Sequence, residues 1–259
     1  MSSPPTLVVD DLHVTYRVLV GGKRAPKGRR LFLKRALPLR GTRRIQAVRG
    51  VSFVGYEGEA IGVVGRNGSG KSTLLRAIAG LVVPAKGAVY ADGQPALLGV
   101  NAALINDLSG ERNVTLGGLA LGLSPKEVRE RYQDIVEFAD IGDFINLPMR
   151  TYSSGMAARL RFAIATATTR RVLLVDEALA TGDAEFRDRS EEKIRQLRDE
   201  AGTVLLVSHN LAEIERSCNR AMWLDQGQIR MAGDVGEVLD AYRQATRARR
   251  KGRLGQGRK

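Results

Sequence analysis

The chain has 259 residues, 43% of them hydrophobic and 27% charged, with a formal net charge of +13 at pH 7. This composition excludes an intrinsically disordered chain, and the length suits one large domain or two small ones. The longest near-apolar run, residues 114–123, is well short of the roughly 20 residues that cross a bilayer. The N-terminus lacks the features of a signal peptide, and a single cysteine, Cys218, excludes an intrachain disulfide. We therefore expect a cytosolic protein without a membrane span.

The first strands are predicted from two segments with alternating apolar residues, LVVDDLHVTY at 7–16 and AVRGVSFVGY at 47–56. Such alternation is typical of half-buried strands, so we expect an antiparallel flank. Between them lies a basic insertion, residues 21–45, with ten lysines and arginines and no acidic residue. Its stretch RRLFLKRALPLR predicts a short amphipathic helix suited to an anionic membrane surface, and a solvated loop is the alternative.

A phosphate-binding loop is predicted at GRNGSGKS, residues 65–72, which matches G-x-x-x-x-G-K-[ST] between an apolar strand and a helix. The glycines let backbone amides turn toward phosphate oxygens, and the helix N-terminus adds partial positive charge. Lys71 would reach the β- and γ-phosphates of a nucleotide, and Ser72 would bind Mg²⁺. The predicted nucleotide-binding residues in this loop are Gly65, Arg66, Asn67, Gly68, Ser69, Gly70, Lys71, Ser72 and Thr73.

The middle of the chain, about residues 100–160, changes to helices and loops, which predicts an inserted α-helical lobe. Ser124, Pro125 and Glu127 form the start of one helix, with Ser124 as N-cap and Glu127 closing a capping box. We expect that helix to run to about Ala139. Near the end of the lobe, TYSSGMAARL predicts a second helix capped by Ser153.

Two later apolar runs, both VLLV, end in polar residues that can serve a bound phosphate. Together with the earlier strand and the helices between them, they predict an α/β core with a parallel sheet. The first run leads to Asp176, a predicted Mg²⁺ ligand, and Glu177, placed to orient or deprotonate an attacking water. The second leads to His209, which can donate to a γ-phosphate. Purely structural roles for these residues are the alternative.

The last segment, residues 243–259, holds eight basic residues and no acidic one, and we expect a disordered, solvated tail. This tail and the insertion carry 18 of the 41 basic residues, so the rest of the chain holds 23 basic and 28 acidic residues. The globular body is therefore mildly acidic, and the charge belongs to two appendages.

Taken in order, GRNGSGKS, YSSGM, LLVDEALATGD and SHN resemble the motifs of the nucleotide-binding subunit of ATP-binding-cassette (ABC) transporters, over roughly residues 6–242. The resemblance implies an α/β P-loop NTPase fold with a RecA-like core, an antiparallel β flank and an inserted helical lobe. It also implies ATP hydrolysis with Mg²⁺ in a homodimer. YSSGM matches the family's LSGGQ, so Ser153 and the amide of Gly155 are implied contacts to the γ-phosphate held by the other copy. Asp183 falls where the family's inter-subunit aspartate lies, and Tyr16 is a candidate for stacking on adenine.

The sequence departs from the family pattern at three places. Ser154 and Met156 replace a glycine and a glutamine, and Met156 shares a helix face with Leu160, which favours core packing. The family's glutamine loop should fall near residues 99–101, where Asn101 is the nearest polar candidate.

Within the family, YSSGM with ALATGDAEF and the basic insertion looks most like ATPase subunits of exporters of lipid-linked polysaccharides, of the O-antigen and teichoic-acid type. That likeness implies a separate polytopic transmembrane permease and a place at the cytoplasmic face of the cell membrane. Some members add a C-terminal carbohydrate-binding domain, and we expect none after the nucleotide-binding domain at 1–242. The alternative is a soluble ABC-type ATPase acting on nucleic acid through the basic segments, and we do not expect nucleic acid as a partner.

Overall fold

The computed structural model describes residues 3–20, 41–98, 104–168, 170–176 and 184–256. Within these ranges one sheet is antiparallel, with β1 (Pro5–Val20) lying between β2 (Gly41–Tyr56) and β4 (Lys86–Ala91). The predicted antiparallel flank is confirmed. Residues 41–45, assigned from the sequence to the basic insertion, instead extend β2, because Ile45 and its neighbours pair with the β-branched and aromatic end of β1. The predicted amphipathic helix lies outside the described residues.

The second sheet has six strands in the described part of the chain and runs through the α/β core. They are β3 (Glu59–Val64), β5 (Ala96–Leu98), β6 (Val172–Asp176), β7 (Thr203–Val207), β8 (Arg220–Asp225) and β9 (Gln228–Asp234). Their order is β5-β6-β7-β3-β8-β9, and every pairing is parallel except the β8-β9 hairpin. The predicted parallel core is therefore confirmed.

The helices divide between the core and the lobe. Those of the core are α1 (Lys71–Ile78), α5 (Ala184–Glu200), α6 (Leu211–Ser217) and α7 (Val235–Gln256). Those of the lobe are α2 (Gly110–Ala120), α3 (Pro125–Ala139) and α4 (Ser154–Ala165), with short 3₁₀ helices at Gly142–Asn146 and Met149–Thr151. The capping box of α3 forms as predicted, since the Glu127 amide donates to Ser124 Oγ and the Ser124 amide donates to Glu127 Oε2.

Both faces of the central strands are buried, which explains their uninterrupted apolar runs. Along β6, Val172 and Leu174 pack with the antiparallel sheet and α1, whereas Leu173 and Val175 pack against the face covered by α5, α6 and α7. Side chains alternate between the faces of a strand, so a strand covered on both sides needs apolar residues at every position. A third apolar cluster lies inside the helical lobe.

The C-terminal segment differs from its prediction. Residues 243–256, expected to be disordered, continue helix α7 to Gln256. The helix is started by Asp234, whose carboxylate accepts from the amides of Gly236 and Glu237, and is tied to the body where Arg243 Nη2 donates to Glu215 at 2.7 Å. Once a helix is nucleated, alanine, arginine and glutamine extend it at little cost. In the described ranges, no helix combines the length and hydropathy that crossing a membrane requires.

Candidate functional site

The predicted phosphate loop links the end of β3 to the start of α1 in a tight turn. Gly70 has φ of 107°, and a Cβ there would lie 2.3 Å from the carbonyl oxygen of Ala47. Gly65 is equally confined, since a Cβ would meet the carbonyl oxygen of Leu224 at 2.3 Å. Larger residues at these positions would push the loop away from its supports, so the loop's shape requires glycine at both.

Lys71 is held over the inside of this loop. Its side chain is buried, and Nζ donates to the carbonyl oxygens of Gly65 at 2.7 Å and Arg66 at 3.2 Å. Helix α1 starts at Gly70 without a side-chain cap or an acidic residue in its first turn. In contrast, helices α2, α3, α4, α6 and α7 each begin with a side-chain cap. The capping residues are Ser109, Ser124, Ser153, Asn210 and Asp234. The first amides of α1 and the Lys71 ammonium are therefore arranged to bind an anion.

The loop forms one wall of an open cleft of about 610 Å³. The residues that line it are Ala47, Asn67, Gly68, Gly70, Lys71, Ser72, Thr73, Asp176, Val207 and His209. The structure thus brings most of the predicted loop together with Asp176 and His209, from segments more than 100 residues further along the chain. Gly65, Arg66 and Ser69 belong to the loop but do not line the cleft, and Ser69 is buried with its hydroxyl unpaired.

Asp176 and His209 line the same cleft because β6 and β7 are neighbouring parallel strands. Asp176 ends β6 opposite Val207, and His209 follows two residues later. The carboxyl ends of parallel strands form one edge of a sheet, which is where α/β proteins bind ligands. The Ser72 hydroxyl and the Asp176 carboxylate line the same cleft and are the hard oxygen donors that Mg²⁺ prefers. The residues present therefore fit a nucleotide with Mg²⁺.

Ser153 caps α4 as the sequence predicts, with Oγ accepting from the amide of Met156 at 3.1 Å. It is exposed, and neither Ser153 nor Gly155 lines the cleft. Met156 packs on the apolar cluster of the helical lobe, which confirms its expected core role. Tyr16 lies on β1 beside Ile45, exposed and outside the cleft lining, and its contact with adenine stays a prediction.

Three predicted positions, Glu177, Asp183 and Asn101, lie outside the described residues. Two contributors were missed in the sequence. Ala47 supplies a carbonyl that packs on the phosphate loop, and its type gives no chemical signal. Tyr152 donates its hydroxyl to the carbonyl of Phe144 at 2.7 Å just before α4, and burial raises the pKa of this phenol. The signal for Tyr152 was its place at the front of YSSGM.

Comparisons with known proteins identify the family of the chain. The family model described as ABC transporter matches residues 48–180. The teichoic acids export ATP-binding protein TagH of Bacillus cereus (strain ZK / E33L) is 44% identical over 197 residues, which are 76% of this chain and 36% of TagH. The O-antigen export system ATP-binding protein RfbB of Klebsiella pneumoniae is 38% identical over 213 residues, 82% of this chain and 87% of that protein. The chain thus spans about a third of the first relative and most of the second.

A solved structure shows the same fold. It is the dimeric post-hydrolysis state of the ATP-binding cassette MJ0796 bound to ADP and Pi, with a TM-score of 0.65 and 22% identity. The alignment covers 88% of this chain and 98% of that one. Because the ABC transporter model matches about half of the chain and a relative with 38% identity covers most of it, the chain belongs to the ABC transporter family.

Proposed function

We propose that the chain is the ATP-hydrolysing subunit of an exporter that moves a lipid-linked polysaccharide across the cytoplasmic membrane. The observation that carries the ATPase part is the cleft in which Lys71, Ser72, Asp176 and His209 meet. The cargo class is supported by relatives named for the export of teichoic acids and O-antigen.

In this proposal the triphosphate of ATP lies along the phosphate loop. Lys71 and the uncapped amides at the start of α1 hold the β- and γ-phosphates, since both present positive charge to the cleft. Ser72 and Asp176 hold Mg²⁺, which neutralises charge that develops on the phosphate oxygens. Tyr16 stacks on the adenine at the rim.

Hydrolysis then needs a positioned water and a donor to the γ-phosphate. Glu177, the residue after Asp176, orients the water and accepts its proton as the water oxygen bonds to the γ-phosphorus. The bond from that phosphorus to the oxygen bridging to the β-phosphate breaks, giving ADP and phosphate. His209 donates a hydrogen bond to the γ-phosphate, which stabilises charge in the transition state.

The second half of each ATP site comes from another copy of the chain. Ser153 and Gly155 are away from the cleft of their own chain, at the start of α4. Because Ser153 Oγ accepts from Met156, its hydroxyl hydrogen can donate to a phosphate oxygen. We assign both residues, together with Asp183, to the ATP held by the second copy in a homodimer. A cassette of this fold has been solved as a dimer.

The dimer works at the cytoplasmic face of the membrane with a polytopic transmembrane permease. Arg17, Arg43 and Arg44 are exposed on the β1-β2 ribbon that leads into the basic insertion. Such a surface is attracted to anionic lipids. The relatives reported above are named for export and give no support to the nucleic-acid alternative.

The test is complementation of a host depleted of the chain. Wild-type protein should restore polysaccharide at the cell surface, whereas Lys71→Ala should leave lipid-linked polysaccharide inside the cell. Lys126→Ala is the control, because that exposed lysine on α3 pairs only with the nearby Glu130 in the described structure. Normal surface polysaccharide in the depleted host would reject the export function. ATPase stimulation by duplex DNA would favour the alternative.

A further inference from the structure

Three phenylalanines, one from each of three helices, pack together where the helical lobe meets the core. Phe138 of α3 stacks on Phe162 of α4, with centroids 5.7 Å apart. Phe186 of α5 meets both rings edge-on, at 5.7 Å and 5.8 Å. Offset and edge-to-face arrangements at these distances are favourable. The contact therefore fixes how the three helices meet.

Two arginines cover this aromatic group and converge on one carboxylate. Arg159 of α4 and Arg189 of α5 each donate to Asp140 Oδ2 at 3.1 Å. The guanidinium of Arg159 lies 5.1 Å from the centroid of Phe186, and that of Arg189 lies 5.8 Å from the same ring. We call these six residues the clasp: Phe138, Asp140, Arg159, Phe162, Phe186 and Arg189.

Asp140 is at the centre of the clasp and in a demanding backbone conformation. It caps the C-terminus of α3 with φ of 48° and ψ of 54°, the left-handed region that few residues other than glycine, asparagine and aspartate enter readily. Its carbonyl oxygen also accepts from Arg159 Nη1 at 3.2 Å. The residue thus binds both arginines through its carboxylate and one of them through its backbone as well.

In the proposed dimer, the clasp joins two parts of the chain that contact different ATP molecules. Helix α4 starts at Ser153, the proposed contact to the ATP of the second copy. Helix α5 starts at Ala184, eight residues after Asp176, which lines the cleft of its own chain. Arg189, Asp140 and Arg159 thus form a continuous set of contacts from α5 to α4.

We propose that Asp140 is a positioning residue that couples the two ATP sites of the dimer by holding α4 to α5. This inference rests on the proposed function, because it needs a dimer that hydrolyses ATP. The pair of arginines on one carboxylate is a charge-assisted contact, stronger than a neutral hydrogen bond, and it adds to the ring contact between Phe162 of α4 and Phe186 of α5. The carboxylate is more than half exposed, so its ion pairs add little to the stability of the fold.

The test is Asp140→Asn in the full-length protein. Asparagine has the same shape and also enters the left-handed region, so the backbone is kept while the charge is lost. We expect the melting temperature and the affinity of the monomer for ATP to stay at the wild-type values. The maximal rate of hydrolysis should fall about tenfold, and the Hill coefficient for ATP should fall to about 1. Arg189→Gln should have the same effect, and the double variant should be no slower than the slower single one.

Asp107→Asn is the matched control, because Asp107 pairs with Arg150 at 3.1 Å in the same lobe but outside the clasp. It should keep the wild-type rate and Hill coefficient. The inference is overturned if Asp140→Asn hydrolyses ATP as the wild type does, if its loss of rate follows a lower melting temperature, or if the two variants add. Wild-type protein without ATPase activity would overturn the proposed function and this inference together, whereas an active, cooperative wild type with an unaffected Asp140→Asn rejects the coupling alone.

Discussion

Replacing Gly70 by alanine should strongly weaken ATP binding while leaving the fold intact. Gly70 has φ of 107°, and the added Cβ would lie 2.3 Å from the carbonyl oxygen of Ala47. Alanine in the left-handed region costs about 1–2 kcal/mol. A contact of 2.3 Å between carbon and backbone oxygen cannot persist, so the loop must also move by about 1 Å to restore an ordinary separation.

That movement sets the size of the effect on binding. The amides of the loop and the start of α1 contact phosphate only in one arrangement, and losing one such hydrogen bond to a charged group costs about 1.5–3 kcal/mol, or up to about a hundredfold in affinity. A hundredfold loss of ATP affinity corresponds to about 2.8 kcal/mol. We therefore expect a weaker complex by that amount and a loss of stability of about 1–2 kcal/mol.

Gly58→Ala separates the two contributions. Gly58 also has positive φ, 80°, but it is in the turn before β3, and a Cβ added there would have no neighbouring atom within 4 Å. It should lose similar stability and keep wild-type affinity. Titration with a slowly hydrolysed ATP analogue and thermal melting measure both quantities. If Gly70→Ala binds ATP about as well as Gly58→Ala does, the packing of the loop on Ala47 does not control the phosphate site.

Three further changes test the rest of the ATP site. Glu177→Gln should bind ATP and remain dimeric but hydrolyse it at least about a hundredfold more slowly, as single-turnover rates and gel filtration would show, and a wild-type rate would remove Glu177 from the chemistry. Ser153→Arg should bind ATP as a monomer without forming the ATP-dependent dimer, and hydrolysis at the wild-type rate would contradict a contact to the second copy. Tyr152→Phe removes the hydrogen bond to Phe144 and should lower stability by about 1 kcal/mol in thermal melting, and an unchanged melting temperature would show that the bond adds nothing.

The centre of the ATP site could be predicted because its chemistry fixes both residue types and spacing. A phosphate loop needs glycines at set positions and a lysine at the helix start, and Asp176 and His209 follow short apolar runs whose length and flanking residues favour buried strands. Parallel pairing of those strands then brings their ends together without any further signal. The capping of α4 by Ser153 was equally local, since one side chain and one amide three residues on decide it.

The extent of ordered structure at the appendages could not be predicted in the same way. Residues 243–256 have the composition of a solvated tail, but they continue a helix that is already held to the body by buried Val238 and Leu239 and by the Arg243–Glu215 contact. Composition reports the average preference of a segment, whereas a helix also depends on whether something outside it supplies the first turn. The strand at residues 41–45 follows the same rule, since its partner on β1 decides its conformation.

The clasp lies furthest from anything that the sequence could indicate. Asp140, Arg159 and Arg189 have no motif spacing, and each alone is an ordinary charged residue on a helix or at its end. They become a unit because α3, α4 and α5 converge on Phe186, which is a property of packing between elements. Motifs describe where the chemistry happens, but coupling between two sites depends on contacts among helices that hold those motifs. In this chain those contacts meet at a single carboxylate, which is why one neutral substitution there is a sharper test of coupling than any change within the motifs.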